Sequence, residues 1–494
     1  MKKITVIGLF LLLAAGTASA QGLRGLGNAI RNEVNRQTND AKENVQNTVQ
    51  GTTQQTAGAA QGGNASVNNG PSLYVSAATG GGSRTADGTK EKPYKDLQAA
   101  IDAAPEGSVI RVAAGNYLGK MDQGFIEITK YLTVEGGWND GFTERDFARH
   151  RTMIRPTVAQ AGTSGAHALM DVFVKGNLNG VVIVDGFVFD MGQFNMYCVA
   201  PNSDPVASAP EGCETGRMII IDEIPKVPKT DGVTVSRQCL KGTVEGTVIV
   251  RNCVFANSHH YAIQMENFGG DWEICNNIFV ANRMAGCEVR GAQPRADAST
   301  LDFHHNTVLF TWTRNKLLED MGYGFRYMTR INSDVHDNIF GGNYYGALDR
   351  GRIDSDLKLD AQRVTSAWDN LFFANTMGDI CLPSGGGVWA WMPAKDFEEV
   401  EQLKRYEGNR EVNDSEAQAM NAAINAPYMK GFLGISMEST SSYNENSAMN
   451  TFRAAHGMNK QGTEITRVSM YANRYPLDEV NALWGAIPGK GAQK

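Results

Sequence analysis

The sequence repeats one short pattern six times: Asp185-Gly-Phe-Val-Phe189, Arg251-Asn-Cys-Val-Phe255, Asn276-Asn-Ile-Phe279, His305-Asn-Thr-Val308, Asp337-Asn-Ile-Phe340 and Asp369-Asn-Leu-Phe372. Aligning Gly186, Cys253, Asn277, Asn306, Asn338 and Asn370 gives steps of 67, 24, 29, 32 and 32 residues. A step of this shorter length fits one coil of a β-solenoid that carries three short strands and their turns. The 67-residue step then contains one coil plus an insertion, which we place at about residues 191–240.

The repeat has a direct physical meaning. Apolar residues at the same point of successive coils stack into one continuous core. Asparagine side chains at successive turns can hydrogen-bond along the axis and satisfy backbone groups that the turns would leave unpaired. The sequence therefore predicts a β-solenoid with an internal column of asparagines.

The residues before the repeat carry a second set of motifs: Tyr74-Val-Ser76, Asp87-Gly-Thr89, Lys92-Pro-Tyr94, Leu97-Gln-Ala-Ala-Ile101 and Gly115-Asn-Tyr117. With these motifs the chain, over roughly 73–385, resembles the right-handed parallel β-helix superfamily, whose fold is pectate-lyase-like. The resemblance implies an all-β fold in which the helix near Leu97 caps the open N-terminal end and blocks edge-to-edge aggregation. It leaves the chemistry open, because this fold hosts lyases, hydrolases, epimerases, adhesins and passive scaffolds.

The flanking segments differ from the solenoid in composition. Residues 1–20 read as a signal peptide, with Lys2 and Lys3, an apolar run over 7–15 and the small residues Ala18-Ser-Ala20. This predicts export to the periplasm, the cell surface or the medium, with a short uncleaved anchor as the alternative. Residues 21–70 read as a flexible, low-complexity segment with one short amphipathic helix, and residues 21–50 could contact an envelope partner.

The solenoid is expected over 71–390, and residues 391–494 form a less regular C-terminal region. Lys395-Asp-Phe-Glu-Glu-Val-Glu-Gln-Leu-Lys-Arg405 is typical of a charged helix. Beyond about residue 409 the pattern is mixed. This region either covers the C-terminal open edge of the solenoid or packs on its flank, and the sequence leaves both open.

Charge and cysteine content restrict the function classes. The net charge is −7, and loss of Lys2 and Lys3 with the leader makes it about −9, which argues against a nucleic-acid partner. No later segment is apolar enough to span a membrane. Among seven cysteines we pair Cys198 with Cys213 in a disulfide, whereas Cys253, Cys275 and Cys287 fit small buried residues of strands. The absence of a CxxC pair argues against a structural zinc site.

Alternation along the strands predicts which side chains face outward. We align Ala262-Ile-Gln-Met-Glu266, Gly286-Cys-Glu-Val-Arg290, Gly324-Phe-Arg-Tyr-Met328 and Gly346-Ala-Leu-Asp-Arg350. A period of two sends Ile263, Cys287, Phe325 and Ala347 inward. One outward column then contains Gln264, Glu288, Arg326 and Leu348, and a second contains Glu266, Arg290, Met328 and Arg350.

Mixed glutamates and arginines on one face suit an acidic polysaccharide, because arginines pair with uronate carboxylates. An arginine of depressed pKa could also remove the C5 proton in β-elimination. We predict a catalytic set of Arg290, Arg326, Arg350, Glu288 and His260. The predicted substrate-binding residues are Gln264, Glu266, His259, Tyr261, Tyr345, Arg352 and Lys358. A ladder of ordinary cross-strand salt bridges is the structural alternative.

Two further clusters contain histidines and aspartates. His304, His305 and His336 belong to the turn pattern, so we interpret them as polar residues that cap the stack. Asp354, Asp356 and Asp360 could bind calcium, which in calcium-dependent relatives bridges enzyme and uronate. No full lyase signature and no polygalacturonase-type aspartate pair is present. Because of the charged outward columns, a polysaccharide lyase is the first hypothesis, with a non-catalytic scaffold or adhesin and a glycoside hydrolase as alternatives.

Overall fold

A computed structural model describes residues 68–118, 124–155, 167–191, 196–198, 218–220, 238–258, 261–267, 269–291, 299–311, 322–328, 330–343, 346–352, 365–375, 378–384, 388–394, 396, 403–426, 428–429 and 475–494. The chain divides into two units, Met1–Ser66 and Val67–Lys494, and every described residue lies in the second. The predicted signal peptide and nearly all of the 21–70 segment lie outside the described residues, as does most of the insertion.

Three parallel sheets make up the described part of the chain. Sheet A contains β1 (Ser72–Val75), β2 (Val109–Ala113), β5 (Thr133–Trp138), β8 (Val181–Asp185), β13 (Thr247–Arg251), β16 (Asp271–Cys275), β19 (Ser299–His304), β22 (Ile331–His336), β25 (Thr365–Trp368) and β29 (Leu403–Arg405). Sheet B contains β3 (Gly115–Asn116), β6 (Thr152–Ile154), β9 (Phe187–Asp190), β14 (Val254–Ala256), β17 (Ile278–Val280), β20 (Thr307–Leu309), β23 (Ile339–Gly341), β26 (Leu371–Phe373) and β30 (Arg410–Glu411). Sheet C contains β4 (Ile126–Ile128), β7 (Met170–Val174), β12 (Leu240–Val244), β15 (Ile263–Asn267), β18 (Ala285–Gly291), β21 (Tyr323–Met328), β24 (Gly346–Arg352), β27 (Ile380–Ser384) and β28 (Val388–Met392).

Each coil takes the chain through sheets A, B and C in turn, as in β13, β14 and β15. Every strand pairs in parallel with the equivalent strand of the next coil, except β28, which is antiparallel to β27. Residues 191–239 join β9 to β12 and include an antiparallel pair, β10 (Met196–Cys198) with β11 (Met218–Ile220). The prediction of an all-β, right-handed parallel β-helix is confirmed.

The helix α1 (Leu97–Ala103) lies at the N-terminal end, as predicted. Asp96 caps it by accepting a 2.8 Å hydrogen bond from the Ala99 N–H. The buried Gln98 side chain accepts a bond of 2.7 Å from the Glu127 N–H and donates one of 3.1 Å to the Glu127 carbonyl. Glu127 belongs to β4, the first strand of sheet C, so this amide replaces a neighbouring strand and blocks the sheet edge.

A ladder of buried asparagines runs along the turns between sheets A and B, as the repeat predicts. Asn277, Asn306, Asn338 and Asn370 are fully buried, and each accepts a bond of 2.8–3.1 Å from the backbone N–H one coil earlier, beginning at Cys253. The residue before each of these positions has a left-handed backbone with φ of 52–56°, which asparagine and aspartate tolerate better than most residues. This explains the first residue of the repeated pattern: Asn252, Asn276, His305, Asp337 and Asp369.

The repeat alignment is wrong by one residue at its first copy. Val188 pairs with Val254, so Phe187 and not Gly186 lies level with Cys253. The Phe187 N–H contacts the Cys253 sulfur at 3.5 Å, which extends the ladder by one coil. Gly186 therefore corresponds to Asn252, and both have a left-handed backbone, with φ of 78° and 56°.

A second asparagine ladder, which the sequence did not reveal to us, lies at the turns between sheets B and C. Asn282 accepts from the Ser258 N–H at 3.0 Å, and Asn343 accepts from the Thr311 N–H at 3.3 Å. Asn375 continues it, accepting bonds of 3.1 and 3.0 Å from the backbone and side chain of Asn343. Two corners of each of these coils are therefore held by buried amides.

Aromatic rings fill the core between the sheets. Phe189, Phe255 and Phe279 stack at centroid distances of 4.9 and 5.0 Å. The next sheet B position is the smaller Val308, and there Phe303 of sheet A lies between Phe279 and Phe340, at 6.3 and 6.2 Å. One ring from sheet A thus compensates for one missing ring in sheet B.

The described C-terminal residues lie on the flank of the solenoid. They include α2 (Asp414–Ala423) and a 3₁₀-helix (Leu477–Leu483). Tyr475, Leu483 and Trp484 pack on the outward apolar residues of sheet B. Asn257 exchanges hydrogen bonds of 2.9 and 2.7 Å with the Tyr475 backbone. Among the described residues, no helix is long and apolar enough to cross a membrane.

Two local predictions concern the segment 395–405 and the cysteines. The charged helix expected over 395–405 is wrong at its end, because Leu403–Arg405 forms strand β29 beside β25. A parallel neighbour one coil away outweighs the local helical pattern there. Cys253, Cys275 and Cys287 are buried free thiols, as expected of small core residues. The proposed Cys198–Cys213 disulfide lies outside the described residues, since only the backbone of Cys198 is described.

Candidate functional site

The outer face of sheet C carries the predicted polar column over three coils. Ile263, Cys287 and Phe325 are level with one another and buried. Gln264, Glu288 and Arg326 are level on the opposite face, and Glu266 lies level with Arg290. For these coils the alignment and the inward and outward assignments are as expected.

The alignment slips by one residue in the fourth coil. Leu348 lies level with Phe325 and is buried in the core, so it does not face outward. Asp349 takes its place beside Arg326. By the same shift Arg350 lies level with the core residue Tyr327 and is itself buried, whereas we had placed it on the outer face. A bulge follows between Arg350 and Arg352, and alternation alone shows neither change of register.

The sheet C column, defined as Gln264, Glu288, Arg326 and Asp349, forms a connected network. Gln264 accepts a 2.8 Å bond from Gln238 and donates one of 3.1 Å to Glu288. Arg326 pairs with Asp349 at 2.9 Å through Nε and with Glu288 at 3.8 Å through Nη1. Its guanidinium also lies 4.6 Å from the centre of the Tyr323 ring. Arg326 is therefore held in one orientation from three sides.

Burial shifts the protonation of this network. It raises the pKa of Asp349 to about 6, with Arg326 opposing the shift and Glu288 adding to it. For Arg326 burial acts to lower the pKa, but Asp349, Tyr323 and Glu288 together outweigh it and the pKa is raised. Arg326 therefore stays cationic, which does not suit the role of proton-abstracting base that the sequence suggested.

A second, more exposed pair lies beside the column. Arg290 Nε is 2.5 Å from Glu266 Oε1, and the two side chains are 43% and 32% exposed. An exposed pair of this kind adds little stability and leaves the arginine accessible to a ligand.

Several other predicted site residues are placed differently or lie outside the description. Tyr261 is buried with Met284, Ala285 and Tyr323, so it offers no exposed ring for a sugar. Only the backbone of Arg352 is described. The remaining predicted residues lie outside the described residues: His259, His260, Tyr345, Lys358, Asp354, Asp356 and Asp360.

Sheet A presents a second polar surface, which the sequence reasoning missed. The outward positions of β16, β19, β22 and β25 form what we call the sheet A strip: Glu273, Cys275, Asp302, His304, Asp334, His336 and Trp368. His304 and His336 end their strands and face outward, so their interpretation as turn residues is wrong, whereas His305 does lie in a turn. A signal was present, because Cys275, His304, His336 and Trp368 each stand two residues before a ladder asparagine.

The rings of the sheet A strip stack along the solenoid. His304 and His336 are parallel with centroids 5.0 Å apart, and Trp368 follows at 4.3 Å from His336. His336 contacts Asp302 at 3.1 Å and Asp337 at 2.9 Å. Although burial opposes the charged form, these two carboxylates raise the pKa of His336.

This shift predicts a pH-dependent contribution to stability. Because the folded pKa lies above the ordinary 6.5, the contribution of His336 is complete below pH 6.5 and is lost as the pH rises through the folded value. We expect His336→Gln to lower the free energy of unfolding by about 1–2 kcal/mol at about pH 5.5, and by less at about pH 9. Urea unfolding of both proteins in a chelator measures this. An equal loss at both pH values would contradict it.

Comparison with known proteins gives a limited result. Residues 79–195 match DUF1565, a family described as proteins of unknown function. No curated protein matches the sequence. The crystal structure of pectate lyase Pel9A is similar at 11% identity, over 70% of this chain and 82% of that chain, with a TM-score of 0.27. That likeness is too weak to carry an argument about the site, and the fold assignment rests on the three parallel sheets.

Proposed function

Because this chain belongs to the right-handed parallel β-helix superfamily, we propose that it binds an acidic, uronate-containing polysaccharide along the outer face of sheet C. The observation that carries the proposal is the fixed orientation of two guanidinium groups in neighbouring columns. Arg326 is held by Asp349 and Glu288, and Arg290 by Glu266. Oriented guanidinium groups recognise carboxylates with little loss of conformational entropy on binding.

The exposed fraction of the two arginines suggests a division of roles. Arg290, at 43% exposed, is the first contact for a uronate carboxylate. Arg326, at 17% exposed, lies deeper and supplies a fixed positive charge beside the hydrogen-bonding groups of Gln264 and Glu288. The amide can donate hydrogen bonds to sugar hydroxyls and accept them, and the carboxylate can accept them.

Cleavage by β-elimination is the finer proposal for this face. It requires a group that accepts the C5 proton of the uronate. Arg326 and Arg290 both pair with carboxylates, and we assign both to substrate binding. The base is then His260, of the residues predicted from the sequence. Arg326 would neutralise the carboxylate of the bound uronate while negative charge develops on the sugar as its proton leaves.

Glycoside hydrolysis is a second candidate because of one observation. Asp349, with its pKa raised to about 6, can be protonated near neutral pH and so can act as a general acid. Glu288, two strands away along the column, is the second carboxylate that such a mechanism requires. Hydrolysis would generate reducing ends with no unsaturated product.

The binding proposal predicts a strong effect of Arg290→Ala. Because Arg290 is exposed, this variant should fold normally and bind polygalacturonate about 10- to 100-fold more weakly than the unchanged protein. Arg149→Ala is the matched control, since Arg149 forms an exposed 3.0 Å pair with Glu144 away from sheet C. Affinity electrophoresis or calorimetry on the full chain measures both variants.

Arg326→Lys provides an independent test of the deeper arginine. Alanine at this position would leave Glu288 and Asp349 buried without a partner, so lysine is used to keep the charge. We expect Arg326→Lys to fold and to lose affinity, because an ammonium lacks the planar fork of a guanidinium. Unchanged binding by both Arg290→Ala and Arg326→Lys would refute the site, and absence of binding in the unchanged protein would favour the scaffold or adhesin alternative.

A further inference from the structure

The sheet A strip brings three potential metal ligands together on two adjacent strands. Glu273 and Cys275 lie two residues apart on β16, and His304 lies level with Cys275 on β19. The Cys275 sulfur is 3.5 Å from Glu273 Oε1, and His304 Nε2 is 3.7 Å from the same oxygen. One ligand atom from each of the three residues lies within 4.8 Å of the other two.

Two of the three separations match the edges of a tetrahedral metal site, and the third is within 4.8 Å. With Zn–N and Zn–O bonds of about 2.0–2.2 Å and Zn–S of about 2.3 Å, tetrahedral angles place nitrogen and oxygen ligands about 3.4 Å apart and sulfur and oxygen ligands about 3.6 Å apart. The observed 3.7 and 3.5 Å differ from these values by only a few tenths of an ångström. A metal ion could therefore enter with little movement of the side chains.

The surroundings also suit a metal ion. Cys275 is nearly buried, while the Glu273 side chain is 40% exposed, so the group opens to solvent on one side. His304 Nδ1 lies 2.9 Å from His305 Nδ1, and a hydrogen bond there fixes the orientation of the His304 ring. Asp302 Oδ2 lies 3.9 Å from His304 Nε2. The nearby cation Arg251 is held by Asp185 at 2.7 Å.

We propose that Glu273, Cys275 and His304 bind a divalent transition-metal ion of the zinc class on the outer face of sheet A. Thiolate, imidazole and carboxylate together select zinc or cobalt over calcium and magnesium, which prefer oxygen ligands only. As the metal–sulfur bond forms, the thiol proton leaves to solvent. Three protein ligands leave a fourth position for water, which distinguishes this site from the closed structural zinc site that the missing CxxC pair argued against.

A neighbouring trio, His305, His336 and Asp337, is less suitable. Asp337 pairs with the Lys490 ammonium at 2.6 Å, and its other oxygen contacts His336. The lysine supplies a positive charge where the metal would have to sit, and the trio has no sulfur. The two trios are close in the fold, so the test must separate them.

Cobalt titration of the chelator-treated full chain tests the proposal, because a Co²⁺–thiolate bond gives a sulfur-to-metal charge-transfer band. We expect one such site per chain, and displacement of cobalt by Zn²⁺. Cys275→Ala and His304→Ala should remove the band or weaken binding more than about 100-fold. Cys287→Ala, which removes a buried thiol facing the core, and His336→Ala, which removes a ligand of the other trio, should both retain it.

Urea unfolding in chelator shows whether each variant folds, and Glu273→Gln supplies a variant of unchanged size if Cys275→Ala does not fold. Zn²⁺ should raise the urea midpoint of the unchanged protein and leave those of Cys275→Ala and Glu273→Gln nearly unchanged. A wild-type titration without the charge-transfer band, or a band that survives in both Cys275→Ala and Glu273→Gln, would overturn the proposal. Cobalt binding that shows no charge-transfer band, and that is lost in His336→Ala but not in His304→Ala, would assign the metal to the other trio instead.

Discussion

Replacing Asn338 by alanine is expected to lower the free energy of unfolding by about 3–5 kcal/mol. Its side chain accepts bonds of 2.8 and 3.2 Å from the backbone and side chain of Asn306. It also donates 2.9 Å bonds to the Phe303 carbonyl and to Asn370 Oδ1. Alanine removes all four, and it leaves the Asn306 N–H and the Phe303 carbonyl buried without partners, each at about 1–3 kcal/mol.

The urea midpoint of Asn338→Ala, compared with that of Asn179→Ala, measures this effect. Asn179 is exposed in a surface turn, so its replacement should change stability by less than about 0.5 kcal/mol. If the two variants unfolded at the same urea concentration, the ladder would contribute no net stability, which would contradict the prediction.

A loss of similar size, about 3–5 kcal/mol, is expected for Phe303→Ala. Phe303 lies 4.0 Å from the ring centre of Phe325 and bridges the gap that Val308 leaves between Phe279 and Phe340. Removing the ring opens a cavity at the middle of the aromatic stack, where paired strands on both sides restrict collapse of the coils.

Two further variants test whether the loss comes from the aromatic stack. Phe303→Leu should recover part of the loss, because leucine fills some of the cavity. Phe173→Ala should be nearly neutral, because Phe173 is 41% exposed on sheet C. Equal destabilisation by Phe303→Ala and Phe173→Ala would mean that the stack is not the source of the effect.

The fold was predictable because the repeat encodes it twice. The ladder asparagines need a buried amide at one point of each coil, and the residue before them needs a tolerated left-handed backbone, so both recur as the visible pattern ending at Asn277, Asn306, Asn338 and Asn370. The exact register at Gly186 and at Gly346 was not predictable, because a shift of one residue leaves composition and local alternation almost unchanged.

The candidate site was predictable only in part. Period-two alternation placed Gln264, Glu288, Arg326, Glu266 and Arg290 on one face, since the three strands that carry them pair without a register shift. It did not show that Asp349 completes the column, nor that Arg326 would be held cationic by it. The proximity of Cys275 and His304 was not predicted, because the adjacent His305 belongs to the turn. An alignment accurate to one residue is needed to separate the strand from the turn.

The central claim, that sheet C binds and processes an acidic polysaccharide, is tested most directly with the full chain and a panel of uronate-containing and neutral polysaccharides. Binding, ultraviolet absorbance of unsaturated product and new reducing ends would be followed together, with calcium and with chelator. The account predicts binding to the uronate polymers alone, lost in Arg290→Ala, with unsaturated product if cleavage is by β-elimination. Binding to no member of the panel, or equal binding to neutral and acidic polymers, would contradict it.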